Sequence, residues 1–156
     1  MRRLNPMYVQ AVSSAANKCP YFKLLSMELK DFGKGSSLME IAVDGKHLQT
    51  YGVVHGGVLS SIIDAAAYWA VYSELDERVG MTSVDLKLNY LAPASSGKLI
   101  ARGRCIKLGK ILGLGEAEVT DQEGRTLAHG ASTLMILNDV PFMQNEPLPP
   151  KFTDEP

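Results

Sequence analysis

The chain has 156 residues, of which 46% are hydrophobic and 21% are charged, so it is long enough for one globular domain with its own core. Its net charge of −1 gives no whole-chain argument for nucleic acid or membrane binding, and no His/Cys spacing resembles a metal site. Two cysteines are too few for a disulfide framework, and no long apolar run follows the basic start, so we expect no signal peptide and a cytoplasmic protein.

The first elements are a short helix and a hairpin. Asn5 and Pro6 are typical of a helix N-cap followed by proline at the first helical position, and apolar spacing predicts a helix over residues 6–18 that is ended by Pro20. Alternating apolar residues then predict two strands, at 25–32 and 37–43, joined by a glycine turn.

A longer helix is predicted at about residues 55–74. Small and apolar residues lie on every side of it, and from Val58 to Tyr72 its only charge is Asp64. A helix that is apolar all round is buried inside a protein, and this one is too short and too often interrupted by polar residues to span a membrane. Asp64 is therefore a candidate catalytic carboxylate, or else a buried acid that caps a loop or faces a subunit boundary.

Two glycines, Gly56 and Gly57, stand at the start of this helix and leave free N–H groups where the helix dipole favours an oxyanion. Gly56 precedes Asp64 by eight residues, which is roughly 12 Å of helix. One substrate carbonyl therefore cannot meet both groups of one chain. If both act on one substrate, they come from two copies, and we expect a two-fold dimer with its sites at the interface.

The rest of the chain predicts four consecutive strands and a tail. Turn residues separate the strands, which fall at 84–90, 98–108, 111–120 and 125–137. Hairpin-linked strands with one apolar helix to cover predict a single antiparallel sheet in one domain, residues 1–137. Five prolines after Asn138 leave little room for regular structure, so we expect the tail, 138–156, to be extended or disordered, or to lie on a partner subunit.

The central helix, its approach Gln49–Gly52 and the strand segment Val84–Ala94 resemble the hotdog-fold acyl-CoA thioesterases. The nearest match is the phenylacetate-degradation (PaaI-like) type, which is related to the 4-hydroxybenzoyl-CoA thioesterases. The likeness covers roughly residues 20–137, and its most specific feature is His-Gly-Gly with an acid nine residues after the histidine. It implies an α+β fold in which an antiparallel sheet wraps around a long central helix.

The resemblance also implies roles for individual residues. Asp64 would attack the thioester or activate the attacking water, and the Gly56 N–H would hold the thioester oxygen. His55 would fix the helix start rather than carry a proton. Gln49 would position water or the thioester, or else be a solvent-facing amide. Ser83, with Thr82 as the alternative, would orient the water.

Further residues are assigned to substrate binding. One is Gly57, and the alternative for both glycines, Gly56 and Gly57, is close packing at the loop-to-helix junction. Tyr68 stands where some relatives use a threonine, so it would shape the acyl pocket together with Ile62, Ile63 and Trp69. Five basic residues and no acidic one lie between Lys98 and Gly115. Two of them, Lys107 and Lys110, flank a turn, where they would bind the phosphates of coenzyme A. The alternative for these basic residues is a solvent-exposed strand face. The other two histidines, His47 and His129, are interpreted as structural.

The predicted function is hydrolysis of an acyl- or aryl-CoA to free acid and CoA by a homodimer or dimer of dimers, without metal or other cofactor. A hotdog dehydratase or hydratase is the first alternative, although we do not find its His–acid pattern. The second is an acyl-CoA-binding domain without turnover. We expect neither nucleic acid nor a membrane as a partner, and the sequence does not distinguish an aromatic from a medium aliphatic acyl group.

Overall fold

The computed structural model describes residues 2–140 and 147–154. Its helices and strands, in chain order, are β1 Arg2–Leu4, α1 Pro6–Ala16, α2 Pro20–Leu25, β2 Met27–Gly33, β3 Ser36–Ala42, α3 Gly56–Tyr72, β4 Val79–Tyr90, β5 Lys98–Leu108, β6 Leu112–Thr120, β7 Thr126–Asn138 and β8 Phe152–Asp154. None of the helices in these ranges combines the length and hydropathy needed to cross a membrane.

Six strands form one antiparallel sheet in the order β2-β3-β5-β6-β7-β4, and α3 contacts every one of them. Ten of the residues of α3 are buried, and the partly buried ones beyond its first turn, Ser60, Ser61, Asp64, Ala65 and Tyr68, follow one another at helical spacing along a single face. A sheet wrapped around one long apolar helix confirms the predicted α+β hotdog architecture.

Glycines let the strands approach the helix backbone. A Cβ atom at Gly103 in β5 would lie 2.2 Å from the carbonyl oxygen of Ala66, and one at Gly115 in β6 would lie 2.7 Å from that of Ala67. Side chains larger than hydrogen do not fit at these positions, so the small residues of strand and helix set the distance between the two layers.

The first predicted helix needs a correction. Asn5 caps α1 as expected, its side chain accepting a hydrogen bond from the Met7 N–H at 3.0 Å. The helix ends at Ala16, however, and Pro20 does not close it but occupies the first position of a second helix, α2. Proline is favoured at such a position because it has no N–H to satisfy.

Part of the tail folds back onto the start of the chain. Strand β8 pairs antiparallel with β1, which the sequence did not predict. Next to it, Lys151 is fully buried, with its Nζ donating to the carbonyl oxygen of Tyr72 at 2.8 Å. The described part, 147–154, thus lies on its own chain, and the prediction for 141–146 and 155–156 falls outside the described residues.

Candidate active site

Asp64 lies in the middle of α3, half-buried, and is held by two hydroxyl groups. Its Oδ1 accepts hydrogen bonds from Ser83 Oγ at 2.8 Å and from Ser132 Oγ at 2.9 Å. The two serines come from the neighbouring strands β4 and β7, and β4 has a bulge between Ser83 and Asp85. Within the described part of the chain no group donates to Oδ2, so this oxygen is available to a substrate or a water.

Ser83 is therefore placed where the sequence suggested, whereas Ser132 was missed. Its sequence signal is weak but real, since Ser132 occupies an inward-facing position of β7 between Gly130 and Leu134, all three of which are buried. A polar side chain on the buried face of a strand needs a partner, and here that partner is the carboxylate.

A mostly apolar cavity of about 550 Å³ opens at Asp64. Ser60, Ser61 and the carboxylate give it a polar side, and α1 and α2 contribute to the opposite wall. A cavity of this size and polarity is typical of a site for a small organic ligand. Ile62 and Ile63, which the sequence assigned to the acyl pocket, are fully buried in the core and do not line it.

Tyr68 does line this cavity, one helical turn beyond Asp64, as predicted. Its ring stacks on Tyr72 at 5.9 Å between centroids and meets Trp69 edge-on at 5.3 Å. Burial raises the pKa of Tyr68 to about 12, so the hydroxyl keeps its proton at neutral pH.

At the start of α3, the Gly56 N–H has no acceptor within the described residues. His55 is the N-cap residue, and its Nδ1 accepts a hydrogen bond from the Gly57 N–H at 2.8 Å. This agrees with the structural role expected of His55, and it removes the Gly57 N–H from consideration as a ligand donor. The Gly56 N–H is thus left for an oxyanion.

Gly56 and Asp64 do not meet in one chain. Gly56 lines a second cavity of about 470 Å³ together with Tyr90 and Leu91, and Asp64 is not part of its wall. The Tyr90 hydroxyl donates to the Gly56 carbonyl oxygen at 3.2 Å, and its ring lies against the glycine. The two proposed catalytic groups therefore face different cavities of the same subunit.

Gln49 lies at neither cavity. Its side-chain Oε1 accepts a hydrogen bond from the Tyr51 N–H, and its carbonyl oxygen accepts one from the Gly52 N–H, so the residue closes its own turn. The structure of one chain does not bring Gln49 to Asp64, which leaves its catalytic role as a prediction.

The basic run on β5 is largely paired. Arg104 bonds to Glu116, Arg102 to the Thr120 hydroxyl, and Lys98 to Glu40 at 3.1 Å. Lys107 and Lys110 are exposed and have no ion pair within the described residues. These two are the basic residues that the sequence assigned to coenzyme A, and they line neither of the two cavities described above.

His47 is structural, as the sequence interpretation held. It is fully buried, its Nδ1 accepts from the Asp44 N–H at 2.8 Å, and its Nε2 lies 2.6 Å from the Leu25 carbonyl oxygen. The accepting Nδ1 places the ring proton on Nε2, which donates to Leu25. His129 is exposed, with its Nε2 3.3 Å from Glu116.

Comparisons with known proteins place this geometry in a family. The family model described as Thioesterase superfamily matches residues 51–128, half of the chain. Human acyl-coenzyme A thioesterase 13 is 27% identical over 106 residues, which cover 67% of this chain and 75% of that protein.

Two solved structures share the fold. A thioesterase from Haemophilus influenzae superposes with a TM-score of 0.80 at 23% identity, covering 92% of this chain and 100% of that one. A hypothetical thioesterase with coenzyme A from Streptococcus pneumoniae superposes with a TM-score of 0.68 at 22% identity, covering 76% and 91%. The chain belongs to the thioesterase superfamily, and the sequence-based prediction of a hotdog-fold thioester hydrolase is confirmed.

Proposed function

We propose that the protein is an acyl-CoA thioesterase of the PaaI-like type, which hydrolyses an acyl- or aryl-CoA to the free acid and CoA. The observation that carries the proposal is the Asp64 carboxylate, which lines an apolar cavity and is anchored through Oδ1, while Oδ2 accepts no hydrogen bond within the described residues. Coenzyme A as the carrier is supported by the relative named acyl-coenzyme A thioesterase 13 and by the neighbour whose structure contains coenzyme A. We place this activity in the cytoplasm.

Asp64 supplies the attacking group in one of two ways. As a base, Oδ2 takes a proton from a water whose oxygen attacks the thioester carbonyl, after which the C–S bond breaks and the CoA thiolate takes up that proton. As a nucleophile, Oδ2 attacks the carbonyl itself, the C–S bond breaks, and water hydrolyses the resulting anhydride. Both routes end with a carboxylic acid and the CoA thiol, and neither requires a metal or another cofactor.

The oxyanion formed on the thioester is stabilised by the Gly56 N–H of a second copy of the chain. A backbone donor at a helix start is pre-oriented for this charge, and loss of one such donor typically costs about 3 kcal/mol of barrier. Since Gly56 and Asp64 face different cavities of one subunit, a homodimer that apposes two α3 helices would bring each Gly56 to the Asp64 of its partner.

Strand β4 is the surface that supports this dimer. It has 12 residues and forms one edge of the sheet, so no other strand of the described chain pairs with its outer side. Apolar side chains near it are exposed, namely Val84, Tyr90 and Leu91. A long edge strand with exposed apolar residues is suited to pairing with a second copy.

A thiol-release assay on a panel of acyl-CoA esters tests the proposal, with Asp64→Asn and Asp64→Ala as variants. We expect both to lower kcat by a factor of about 10² to 10⁴, the usual contribution of a positioned base. Ser14→Ala, at an exposed position of α1, is the control and should keep wild-type turnover. Undiminished hydrolysis in both Asp64 variants would remove Asp64 from the mechanism, and tight binding of acyl-CoA without turnover in the wild type would favour a binding domain.

A further inference from the structure

We propose that helices α1 and α2 form the roof of the acyl-binding cavity and select an uncharged, apolar acyl group larger than acetyl. The inference rests on the proposed acyl-CoA hydrolysis and names the part of the chain that sets its substrate class. The roof is defined here as the cavity-lining residues of α1, of α2 and of the link between them, chiefly Ala15, Cys19, Tyr21 and Phe22.

The cavity leads away from Asp64 toward this roof. One wall is the α3 face that carries Asp64, Ala65 and Tyr68, and the roof closes the opposite side. A thioester carbonyl held beside Asp64 Oδ2 therefore directs its acyl group between α3 and the roof. The volume of about 550 Å³ is far more than an acetyl group fills, so a short acyl group would leave apolar walls without contacts.

The walls also exclude charge at the far end of the acyl group. Asp64 is the one charged side chain among the described residues that line the cavity, and it lies at the reacting end. A dicarboxylic acyl group would bury its second carboxylate without a partner, which is strongly unfavourable in an apolar site. Aromatic rings of the roof and of α3, including Phe22, Tyr68 and Trp69, favour apolar or aryl groups instead.

The roof is fastened beside the catalytic carboxylate by a single pair of hydroxyls. Tyr21 Oη lies 2.6 Å from Ser61 Oγ, which is three residues before Asp64 on α3. At its other end α2 is held by the hydrogen bond from His47 to the Leu25 carbonyl oxygen. No residue of α2 is fully buried, although Phe22 and Leu25 pack against the core, so these two anchors add to that packing in setting the position of α2.

Cavity-filling and cavity-enlarging variants test the proposal. The measurement is kcat/KM for acetyl-, octanoyl-, phenylacetyl- and succinyl-CoA. We expect the wild type to prefer octanoyl- or phenylacetyl-CoA over both acetyl- and succinyl-CoA. Ala15→Phe fills the cavity and should lower the octanoyl/acetyl ratio by about tenfold or more. The matched control is Ser14→Phe, which adds the same ring at an exposed neighbouring position and should leave the ratio unchanged.

Two further variants keep the test decisive if Ala15→Phe does not fold. Phe22→Ala enlarges the cavity and should shift the preference toward longer acyl groups. Tyr21→Phe removes the hydroxyl pair and should raise KM for octanoyl-CoA several-fold with kcat within about twofold, because the roof loses an anchor while Asp64 keeps both of its own.

The possible failures are distinguishable. Hydrolysis with the same acyl preference in wild type, Ala15→Phe and Phe22→Ala, or a wild-type preference for succinyl-CoA, overturns this inference alone. No hydrolysis of any CoA ester overturns the proposed function. In that case, calorimetric titration with octanoyl-CoA tests whether the roof contacts the acyl group. Weaker binding to Ala15→Phe but not to Ser14→Phe would support this contact, and equal affinity of the two variants would contradict it.

Discussion

The two oxygens of Asp64 have different surroundings, and this difference divides their roles. Ser83 and Ser132 both donate to Oδ1, from two strands that are fixed to each other by the ladder between β4 and β7. Hydrogen bonds to a charged acceptor are stronger than those between neutral groups and hold the carboxylate in one rotamer. The carboxylate is thereby fixed at the cavity wall before any substrate arrives, with Oδ2 unbonded within the described residues, which reduces the reorganisation needed for attack.

Ser132 is the positioning residue in this arrangement, because it is fully buried and reaches the substrate only through Asp64. We expect Ser132→Ala to lower kcat by about tenfold, equivalent to ~1.4 kcal/mol, with KM within about twofold. Steady-state kinetics on the best acyl-CoA ester measure the change.

A Ser132→Thr variant that retains the hydroxyl should recover most of kcat if the larger side chain is accommodated. Ser132→Ala with wild-type kcat would show that Ser83 alone positions the carboxylate. A rise in KM with unchanged kcat would instead point to a role in binding.

At this scale the sequence identified the residue types but not all the contacts. Asp64 stood out because it was the only charge in an apolar helix, and Ser83 followed from the family likeness. Ser132 is 68 positions from Asp64, and the contact depends on the pairing of β4 with β7, which no local pattern reveals. Gln49 matched the family pattern, but its side-chain oxygen accepts a hydrogen bond from the Tyr51 N–H within its own turn.

Among the elements, α3 depends on glycines in the strands beneath it. A Cβ atom at Gly103 would lie 2.2 Å from the Ala66 carbonyl oxygen and 2.3 Å from Ser37 Oγ, which itself donates to that carbonyl at 2.6 Å. The helix is therefore seated on a backbone surface and on one serine hydroxyl, and a shift of α3 would also move Asp64.

Gly103→Ala should consequently destabilise the protein by roughly 1–3 kcal/mol, the usual cost of overpacking. Chemical denaturation monitored by circular dichroism gives the free energy of unfolding. Gly45→Ala is the control, since a Cβ atom there meets nothing within 4 Å, and its stability should match the wild type. Equal stability of the two variants would contradict the close approach of β5 to α3.

The sequence predicted most elements to within a few residues because hydrophobic periodicity determined them. The long helix was expected at 55–74 and is Gly56–Tyr72, and the last strand was expected at 125–137 and is Thr126–Asn138. Helix α2 was missed because proline both ends and begins helices. Strands β1 and β8 were missed because each has three residues and its partner lies at the opposite end of the chain.

For the molecule as a whole, the returning tail joins both ends of the chain to the end of α3. Lys151 Nζ lies 4.1 Å from the centre of the Tyr72 ring, and the Lys151 N–H donates to Glu77 at 2.7 Å. Tyr8 and Tyr72 share a hydrogen bond of 2.6 Å at the same place. Burial, reinforced by the charge of Arg2, lowers the pKa of Lys151 to about 8.

This shift predicts a pH dependence of stability. Between pH 8 and about pH 10.4 the unfolded chain holds a proton on Lys151 that the native chain has released, so the contribution of Lys151 to stability rises with pH across that window. Burial raises the pKa of both Tyr8 and Tyr72 above the ordinary tyrosine value. The free energy of unfolding of the wild type relative to Lys151→Met should increase by roughly 1–3 kcal/mol from pH 7 to pH 10. A difference that does not change with pH would mean that Lys151 is not buried in solution.

If each active site takes Asp64 from one subunit and Gly56 from the other, mixing two inactive variants should restore activity. One variant carries Asp64→Ala. The other carries Gly56→Pro, which removes the N–H at a helix position where proline is tolerated. A Cβ atom at Gly56 would lie 2.9 Å from the Tyr90 ring, so proline fits there only if that ring is removed. Both variants therefore also carry Tyr90→Ala, and the protein with Tyr90→Ala alone is the reference.

Each variant alone should be nearly inactive. After unfolding and refolding of an equal mixture, half of the dimers are mixed and each has one complete site, so activity should return to about a quarter of the reference. A mixture no more active than its components, or a protein that is active as a monomer, would contradict a site shared between two subunits.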